Sequence, residues 1–396
     1  MARGALRQVS FAAAVNRALR PDCRWWRPGV IAAVAIAGLA ARRVPAADAP
    51  PRTGAQVWTQ ACAACHGPDG AGRRRDVVAF DVPLPDLRDC AFATSEPTAD
   101  WIAVVHEGGR VRGLDRMMPA FGGALTDDEI ARVVDTLREF CPRLPAWPLG
   151  DLNLPRALFT EKAFPENEVV MTSTIALHGP GSVMNELVYE HRLGARSMLE
   201  VGVPFGVLEQ TGGSGATGWT AGLGDLGFAF KHALVQSART GSIFSLGLDV
   251  SVPTGREEQG LGAGVTVVNP FVAFGQILPA GTFVQAHAGL DLPVETSATK
   301  PEVFWHALVG WSLNAHRFGR MYSPMLEVLG ARELESSGAH VAWDLVPQMQ
   351  VTLSRRKHVR VDVGADVPVN QTQDRHVQLG AYVLWDWYDG SLFKGW

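Results

Sequence analysis

The most specific chemistry in this 396-residue chain lies at Cys62, Cys65 and His66, which form the pattern Cys-x-x-Cys-His. Two cysteines at this spacing can form a redox dithiol, supply half of a zinc site or attach a haem. A zinc site usually takes four ligands from two such pairs, and the sequence has no second pair. A redox dithiol needs no adjacent histidine. Haem attachment uses all three residues, because the two thiols bond the haem vinyl groups and the histidine binds iron. The pattern therefore predicts one covalently bound haem c.

A second element is needed to bring a sixth ligand to the haem iron. Residues 116–140, RMMPAFGGALTDDEIARVVDTLREF, contain two methionines followed by a predicted helix. Thr126 can cap this helix, with Glu129 as its capping-box partner. Apolar residues then recur at helical spacing, at Ile130, Val133, Val134 and Leu137. Both methionines, Met117 and Met118, are therefore candidate ligands.

Three stretches of this region resemble the class I c-type cytochromes. GAQVWTQACAACHGPDGAG (54–72) is similar to their first helix and haem loop. MPAF (118–121) is similar to their methionine loop, and LTDDEIARVVDTLREF (125–140) to their last helix. The resemblance covers residues 52–143 and implies an all-α cytochrome c domain with one haem.

The same resemblance implies that Met118 is the second axial ligand, because Pro119, Ala120 and Phe121 follow it directly. Met117 is the competing choice, with core packing as its alternative role. His106, in AVVHEGG, is more typical of a structural histidine than of an iron ligand. A His66/Met118 pair would fill both axial positions, which suits electron transfer better than substrate binding.

Cys90 and Cys141 are the other two cysteines of the predicted cytochrome domain. A disulfide between them would close a loop of about 50 residues and contribute up to ~4 kcal/mol in an entropic account. We expect this disulfide to join the methionine-side loop to the end of the last helix. Two buried thiols are the alternative.

The first 47 residues have the order of a secretory signal peptide: a basic leader, an apolar run at 29–41 and small residues near 46–49. The apolar run is shorter than the ~20 residues that span a bilayer. An uncleaved anchor helix is the alternative. Cleavage would remove Cys23 and leave four cysteines in an oxidising compartment.

Residues 144–167 are rich in proline and lack periodicity, so we expect an extended linker that ends in a fixed docking segment. From residue 168 to residue 396, apolar and polar residues alternate with a period of two, as in VRVDVGADVPV (359–369). About twelve such segments follow one another, at 168–178, 182–193, 196–209, 222–236, 240–252, 265–277, 282–294, 302–314, 319–332, 338–353, 357–369 and 374–388.

Period-two strands fit either a soluble sandwich or a transmembrane barrel. The predicted strands are longer than the usual 5–6 residues, and their polar face is rich in Gly and Ser but poor in Lys and Glu. Five tryptophans lie on the apolar face, where a membrane girdle would be: Trp305, Trp311, Trp343, Trp385 and Trp387. These features predict an antiparallel transmembrane β-barrel of about 12 strands.

The barrel region carries a second resemblance. GLGDLGFAFKHAL (222–234) and SLGLDVSVPTGREEQGLGAG (245–264) are similar to outer-membrane proteins encoded with phenol meta-cleavage pathways, often called transporters. This resemblance implies an outer-membrane pore or channel. A bacterial barrel with an even number of strands has both termini in the periplasm, where haem c is attached.

Nine ionisable residues are expected to face the barrel lumen: Asp249, His287, Asp291, His306, Glu327, Asp344, Arg360, Asp362 and Asp366. Charges in a lumen usually pair with each other, and the sequence offers no nucleophile or metal-site spacing there. An electron carrier or a transport protein is therefore a better fit than an enzyme.

The sequence thus predicts an outer-membrane barrel, surrounded by lipid, that carries a periplasmic haem domain for single-electron transfer. The barrel would act as an anchor or a small-solute channel. The alternative is a transporter of small, including hydrophobic, molecules whose haem domain is regulatory or serves a neighbouring oxidase. We expect a periplasmic redox protein or oxidoreductase as partner. The net charge of −4 does not indicate the basic charge excess that is typical of nucleic-acid-binding proteins. One haem cannot carry electrons across a ~30 Å hydrocarbon core.

Overall fold

The computed structural model describes residues 51–386 except 79, 145, 180, 212–216, 297–298, 335–337 and 374. The predicted signal peptide, Cys23 and Trp387 lie outside the described residues. A helical region comes first in the chain, and a large β-sheet follows from residue 168.

Short helices form the first region. They are α1 (Gly54–Val57), a π-helical turn (Trp58–Cys62), α2 (Ala63–His66), α3 (Arg75–Val78), α4 (Cys90–Ser95), α5 (Thr98–Glu107), a 3₁₀ turn (Gly109–Arg112) and α6 (Asp127–Glu139). Loops separate them at 67–74, 80–89 and 113–126, so the assignment of an all-α domain stays a prediction. In the described part of the chain, no helix is both long and apolar enough to cross a membrane.

Two capping boxes fix the ends of the helices that pack on each other. The Thr53 hydroxyl accepts a hydrogen bond from the Gln56 backbone, and the Thr126 hydroxyl accepts one from Glu129, as predicted for α6. The apolar stripe of α6 then packs on Val57 and Trp58 of the first helical run. This cluster is the core of the helical region.

Within the described residues, the β-sheet contains fourteen strands. They are β1 (Glu168–Ala176), β2 (Ser182–Leu193), β3 (Ser197–Thr211), β4 (Thr217–Leu223), β5 (Leu226–Ser237), β6 (Ser242–Val252), β7 (Val267–Ile277), β8 (Thr282–Pro293), β9 (Glu302–Trp311), β10 (Leu313–Asn314), β11 (Met321–Glu333), β12 (Ala342–Thr352), β13 (Val359–Pro368) and β14 (Gln378–Asp386).

These strands occupy twelve positions around a closed antiparallel barrel. β4 and β5 both pair with β3, so together they form one interrupted strand. β9 and β10 both pair with β11 and form a second interrupted strand. β1 pairs with β2 on one side and with β14 on the other, which closes the sheet. The predicted barrel of about 12 antiparallel strands is confirmed. The other strands each pair on both sides, as a bilayer requires, whereas β4 and β10 each pair on one side only among the described residues.

The side-chain alternation sets the two faces of the barrel. On β13, Asp362 is fully buried while Val363, the next residue, is 57% exposed. The same outward position is taken by leucine, valine or phenylalanine on other strands, for example Phe228 on β5, Leu246 on β6 and Val383 on β14. The apolar face therefore points outward and the polar face points into the lumen, which excludes the soluble sandwich.

The two ends of the barrel differ in the length of their connections. At the end where β1 begins and β14 ends, the turns have three to six residues, at 194–196, 238–241, 278–281, 315–320 and 353–358. At the opposite end the connections reach 14 residues, at 253–266. We call these the short-turn end and the long-loop end.

The second part of the proline-rich segment lies inside the barrel. Residues 150–166, which we call the plug, start with a 3₁₀ turn (Gly150–Leu152) and pack their apolar side chains against the inner faces of several strands. Leu154 packs with Phe283, Leu308 and Met325, whereas Phe164 packs in a separate cluster on β5, β6 and β7. The predicted docking segment is thus an internal one.

Candidate functional site

The helical run from Gly54 to His66 positions the Cys-x-x-Cys-His residues. Cys62 ends its π-helical turn, and Cys65 and His66 form the last turn of α2. The Trp58 indole donates a 3.1 Å hydrogen bond to the Gly67 carbonyl, which holds the chain where it leaves the helix. Gly67 has φ +80°, a left-handed conformation that glycine adopts without strain. The motif is therefore held by its own helix and by the loop that follows.

Burial shifts the ionisation of Cys62 and His66. Burial raises the pKa of the Cys62 thiol to about 11, so it is protonated at neutral pH. Burial also lowers the pKa of His66, which keeps the imidazole neutral and its lone pair available to a metal. Neither cysteine belongs to the disulfide of this region, so both thiols are available for reaction.

The methionine loop is attached to the C-terminal end of α5. The Phe121 backbone donates to the Val105 carbonyl at 3.0 Å, and the Met118 carbonyl accepts a hydrogen bond from Gly109 at 3.1 Å. A Cβ atom on Gly108 would lie 2.9 Å from the Met118 oxygen, so only glycine allows this approach. Met118 packs against the apolar cluster that contains Cys62.

The residues around this cluster fit a bound haem. Within the described residues, His66 Nδ1 and Trp101 Nε1 are buried nitrogen atoms without a hydrogen-bond partner. Buried polar groups without partners are rare in proteins, so a bound group that offers acceptors would explain them. The Cys62 and Cys65 thiols, the neutral His66 and the apolar packing around Met118 provide the donor set of a c-type haem site.

His106 is engaged elsewhere. Its ring lies 2.8 Å from a Glu107 oxygen, and its centroid lies 5.2 Å from that of the tilted Phe318 ring in a barrel turn. These contacts give it a structural role in packing the helical region on the barrel.

Cys90 and Cys141 form a disulfide with their Cα atoms 5.0 Å apart. It joins the start of α4 to the second residue beyond the end of α6, and Trp147 packs against it.

The helical region contacts the turns of the short-turn end. The Arg112 guanidinium donates to the Phe318 carbonyl at 2.8 Å. Asp100 on α5 bridges Arg112 and Lys357, and the Lys357 contact is 2.9 Å. His358 lies 2.7 Å from a Glu96 oxygen. All these groups except Glu96 are largely or fully buried, so the contact surface is specific.

The plug is held in the lumen by buried polar contacts. Glu327 on β11, fully buried, accepts hydrogen bonds from the backbones of Leu158 (3.1 Å) and Thr160 (2.7 Å). The Arg156 guanidinium binds Glu168 at 2.6 Å and Glu190 at 2.5 Å.

On the other side of the lumen, Lys231 on β5 pairs with Glu161 and donates to the Lys162 carbonyl at 2.7 Å. Ser245 on β6 donates to the Ala163 carbonyl. Strands around the whole barrel thus hold the plug, which fills the lumen at this level.

The lumen candidates from the sequence divide into three groups. Glu327 and His287 contact the plug, and His306 packs on His287 at 5.3 Å. Asp344 pairs with Arg375, and Arg360 pairs with Asp386 at 2.9 Å. The remaining carboxylates line the interior without a plug contact among the described residues: Asp249, Asp291, Asp362 and Asp366.

The sequence did not identify the plug cations Arg156 and Lys162 or the lumen Lys231. In the sequence they occur as isolated charges, and only Lys231 stands at the inward position of a strand. Its inward position was the only sequence feature that could have identified Lys231 as a lumen residue.

A cavity of about 410 Å³ lies between the lumen and the 253–266 connection, toward the long-loop end. Glu186, Asp225 and Asp249 contribute carboxylates to its wall. The cavity is therefore a polar, acidic vestibule.

Two family models match separate parts of the chain. Residues 49–135 match the model described as "Cytochrome C oxidase, cbb3-type, subunit III", and residues 180–323 match "Putative MetA-pathway of phenol degradation". The two resemblances found in the sequence are confirmed, and the cytochrome match implies a haem cofactor. We therefore call the helical region the cytochrome domain. No curated protein matches the chain.

Solved structures similar to the barrel include an outer-membrane channel and two porins. The COG4313 outer membrane channel from Pseudomonas putida F1 is 14% identical, with 59% of this chain and 99% of that chain covered and a TM-score of 0.42. The KdgM porin is 7% identical, with 56% and 99% covered and a TM-score of 0.38. The NanC porin is 8% identical, with 55% and 98% covered and a TM-score of 0.37.

Proposed function

We propose that this protein is an outer-membrane β-barrel whose periplasmic domain holds one covalent haem c and transfers single electrons. The observation that carries the proposal is the docking of the cytochrome domain on the short-turn end of the barrel. In outer-membrane barrels the short turns face the periplasm and the longer loops face outward. The compartment in which haem c is attached and the orientation of the barrel then agree.

The outer surface of the barrel supports the membrane location. Its outward side chains are apolar and exposed on strand after strand, as Leu199, Phe230, Leu248 and Val363 illustrate. Exposed apolar area on this scale is unfavourable in water and favourable in lipid. Lipid of the outer membrane is thus the first partner of the barrel.

In the haem site, Cys62 and Cys65 would hold the haem covalently while His66 and Met118 would bind its iron. The bound haem supplies a one-electron iron couple, whose potential a thioether ligand raises. The protein excludes water with the apolar cluster around Met118 and keeps His66 neutral by burial.

The partner is a periplasmic redox protein or oxidoreductase. Leu114, Arg116 and Met117 are exposed beside Met118, and the contacts with the barrel involve other residues of the domain. A partner could therefore approach the methionine side of the domain while it stays docked.

Because the plug lies in the lumen, this structure favours a barrel that anchors the cytochrome domain over a barrel that acts as an open pore. A second candidate function, gated transport of a small solute, is favoured by the acidic vestibule above the plug. In that case the plug would have to move, and the cytochrome domain, joined directly to it, would regulate the movement.

One experiment tests electron transfer. Purified full-length protein should retain its haem stain on a denaturing gel and titrate as a single one-electron couple in spectroelectrochemistry. The Cys65→Ala variant should lose the stain, whereas Arg239→Gln, an exposed change in a barrel turn, should keep it. Haem that is lost from the wild type on denaturation, or that does not change oxidation state, would refute the proposal.

A second experiment separates the anchor from the channel. In planar bilayers, the wild type should show little conductance with the haem either oxidised or reduced if the barrel is an anchor. Replacing residues 153–163 with a Gly/Ser linker of equal length should open the lumen and raise the conductance. Conductance that depends on the haem oxidation state in the wild type would favour gated transport.

A further inference from the structure

We propose that a phosphate group binds in a second cavity, between the cytochrome domain and the rim of the barrel. The cavity has a volume of about 320 Å³. Its wall is made by the 3₁₀ turn Gly109–Arg112 and by the barrel turns 315–320 and 353–358. The site lies outside the haem site and outside the lumen.

The wall of this cavity is strongly basic. It contains five cationic side chains and no acidic one: Arg110, Arg112, Arg320, Arg355 and Lys357. Arg112 and Lys357 share Asp100 behind the wall, so one carboxylate offsets two cations. Among the described residues, Arg110, Arg320 and Arg355 have no acidic partner. These three arginines are exposed, and a cavity wall with more cations than carboxylates favours an anion.

Phosphate is the anion that fits this chemistry best. Several guanidinium groups converge on the cavity, and each presents a planar set of N–H donors that matches phosphate oxygens in a bidentate manner. The volume admits a phosphate group with part of its substituent.

The position of the cavity favours a phospholipid headgroup as the source of the phosphate. Leu353 lines the cavity and is 45% exposed on the outside of the barrel, and Tyr322 and Leu313 are exposed nearby on paired strands. The cavity therefore lies where the apolar outer surface meets the short-turn end. Basic pockets at this level of a membrane protein bind anionic headgroups. The assignment of a lipid as the source of the phosphate group rests on the proposed membrane location. The phosphate site itself does not depend on that location.

The test uses full-length haem-loaded protein in a neutral detergent. Native mass spectrometry should show retention of one dioleoyl phosphatidylglycerol, no retention of dioleoylglycerol, and displacement of the phospholipid by inorganic phosphate. The Arg320→Gln/Arg355→Gln double variant should bind phosphatidylglycerol at least tenfold more weakly. Arg239→Gln removes an exposed arginine from another short turn and should bind like the wild type.

The outcomes separate the two sources. Binding of inorganic phosphate that the double variant loses, without retention of phosphatidylglycerol, supports the phosphate site and rejects lipid as its source. Equal phosphate and lipid binding by the double variant and the wild type overturns the site. An unchanged haem spectrum and heat-dependent gel mobility would show that the double variant is folded. Haem attachment and phosphate binding are read by separate measurements, so failure of one proposal is distinguishable from failure of the other.

Discussion

The two adjacent methionines differ in burial, which gives a prediction at the scale of single residues. Met117 is 47% exposed, whereas Met118 packs against the core that contains Cys62. We expect Met118→Ala to remove the near-infrared sulfur-to-iron absorption band and lower the reduction potential, because the thioether stabilises ferrous iron. Absorption spectra and a potentiometric titration measure both effects.

Met117→Ala is the matched control and should leave the band and the potential almost unchanged. Both variants should keep the covalent haem, because neither changes Cys62 or Cys65. Loss of the band in Met117→Ala alone would assign the ligand to Met117.

A second residue-scale prediction concerns the pH dependence of the cytochrome domain. The hydrogen bond from Arg52 lowers the pKa of Glu129 to about 2, assisted by the Thr126 backbone. In the unfolded chain the same carboxyl titrates near its ordinary pKa of about 4.3. The stabilisation is therefore present above pH ~4.3 and is lost as the pH falls toward 2.

We expect Arg52→Gln to reduce this pH dependence, because the Glu129 pKa then moves toward its ordinary value. Thermal unfolding of the haem-loaded protein between pH 3 and pH 7, followed by the haem absorbance, measures the effect. Arg74→Gln, which removes a highly exposed ion pair with Asp76, is the control and should behave like the wild type. A pH profile of Arg52→Gln identical to that of the wild type would contradict the prediction.

At the scale of elements, the alternation of side chains along the strands gives a test of which residues face lipid and which face the lumen. Val363→Arg places a cation in lipid near the middle of β13 and should destabilise the barrel by ~2–4 kcal/mol. Ser251→Arg on β6 faces the acidic vestibule and should be tolerated. Denaturant titration in detergent, read from heat-dependent gel mobility, compares the two. Equal stability of Val363→Arg and the wild type would place residue 363 away from lipid.

Gly364 shows where the simple alternation rule is insufficient. A Cβ atom there would lie 2.8 Å from Leu158 of the plug and 2.7 Å from Gln348. An inward position near the plug is therefore closed to large side chains, unlike Ser251.

The strands were predictable because their pattern is local. Period-two alternation placed β2 at 182–193, where the structure has it, and the largest boundary differences fall beside turns, as at β14. The plug was not predictable, because its contacts with Glu327 and Lys231 join residues far apart in the chain and leave no period in its own sequence. Its prolines and isolated charges are equally typical of an exposed linker.

At the scale of the whole molecule, the docking of the cytochrome domain depends on Asp100. This buried carboxylate pairs with both Arg112 and Lys357. Asp100→Asn leaves two largely buried cations without a counter-charge, which should weaken the interface by ~3–5 kcal/mol. Hydrogen exchange should then increase in residues 353–358 and in α5.

Asp127→Asn is the matched control. Its ion pair with Arg317 also crosses the interface, but the two side chains are 63% and 54% exposed. Exposed pairs contribute ~0–1 kcal/mol, so exchange should hardly change. Equal effects of the two variants would mean that Asp100 does not determine docking.

The haem prediction rests on five consecutive residues, because the chemistry of this motif is local to one helix turn. The docking surface was not, since it unites Asp100 with turn residues more than 200 positions away. The contact of Phe318 with Arg112 uses its backbone carbonyl, which no side-chain pattern reveals.

The plug enters and leaves the barrel through the same end. Asp151, at its start, accepts a hydrogen bond from Thr98 of the cytochrome domain, and β1 begins at Glu168 on that side, while Leu158 reaches Gly364 and Gly380 inside. Topologically the segment is a hairpin that returns, with no threading and no knot. The sheet can therefore close before or after the hairpin enters. A pull on the cytochrome domain can also withdraw the hairpin without opening the cylinder of strands.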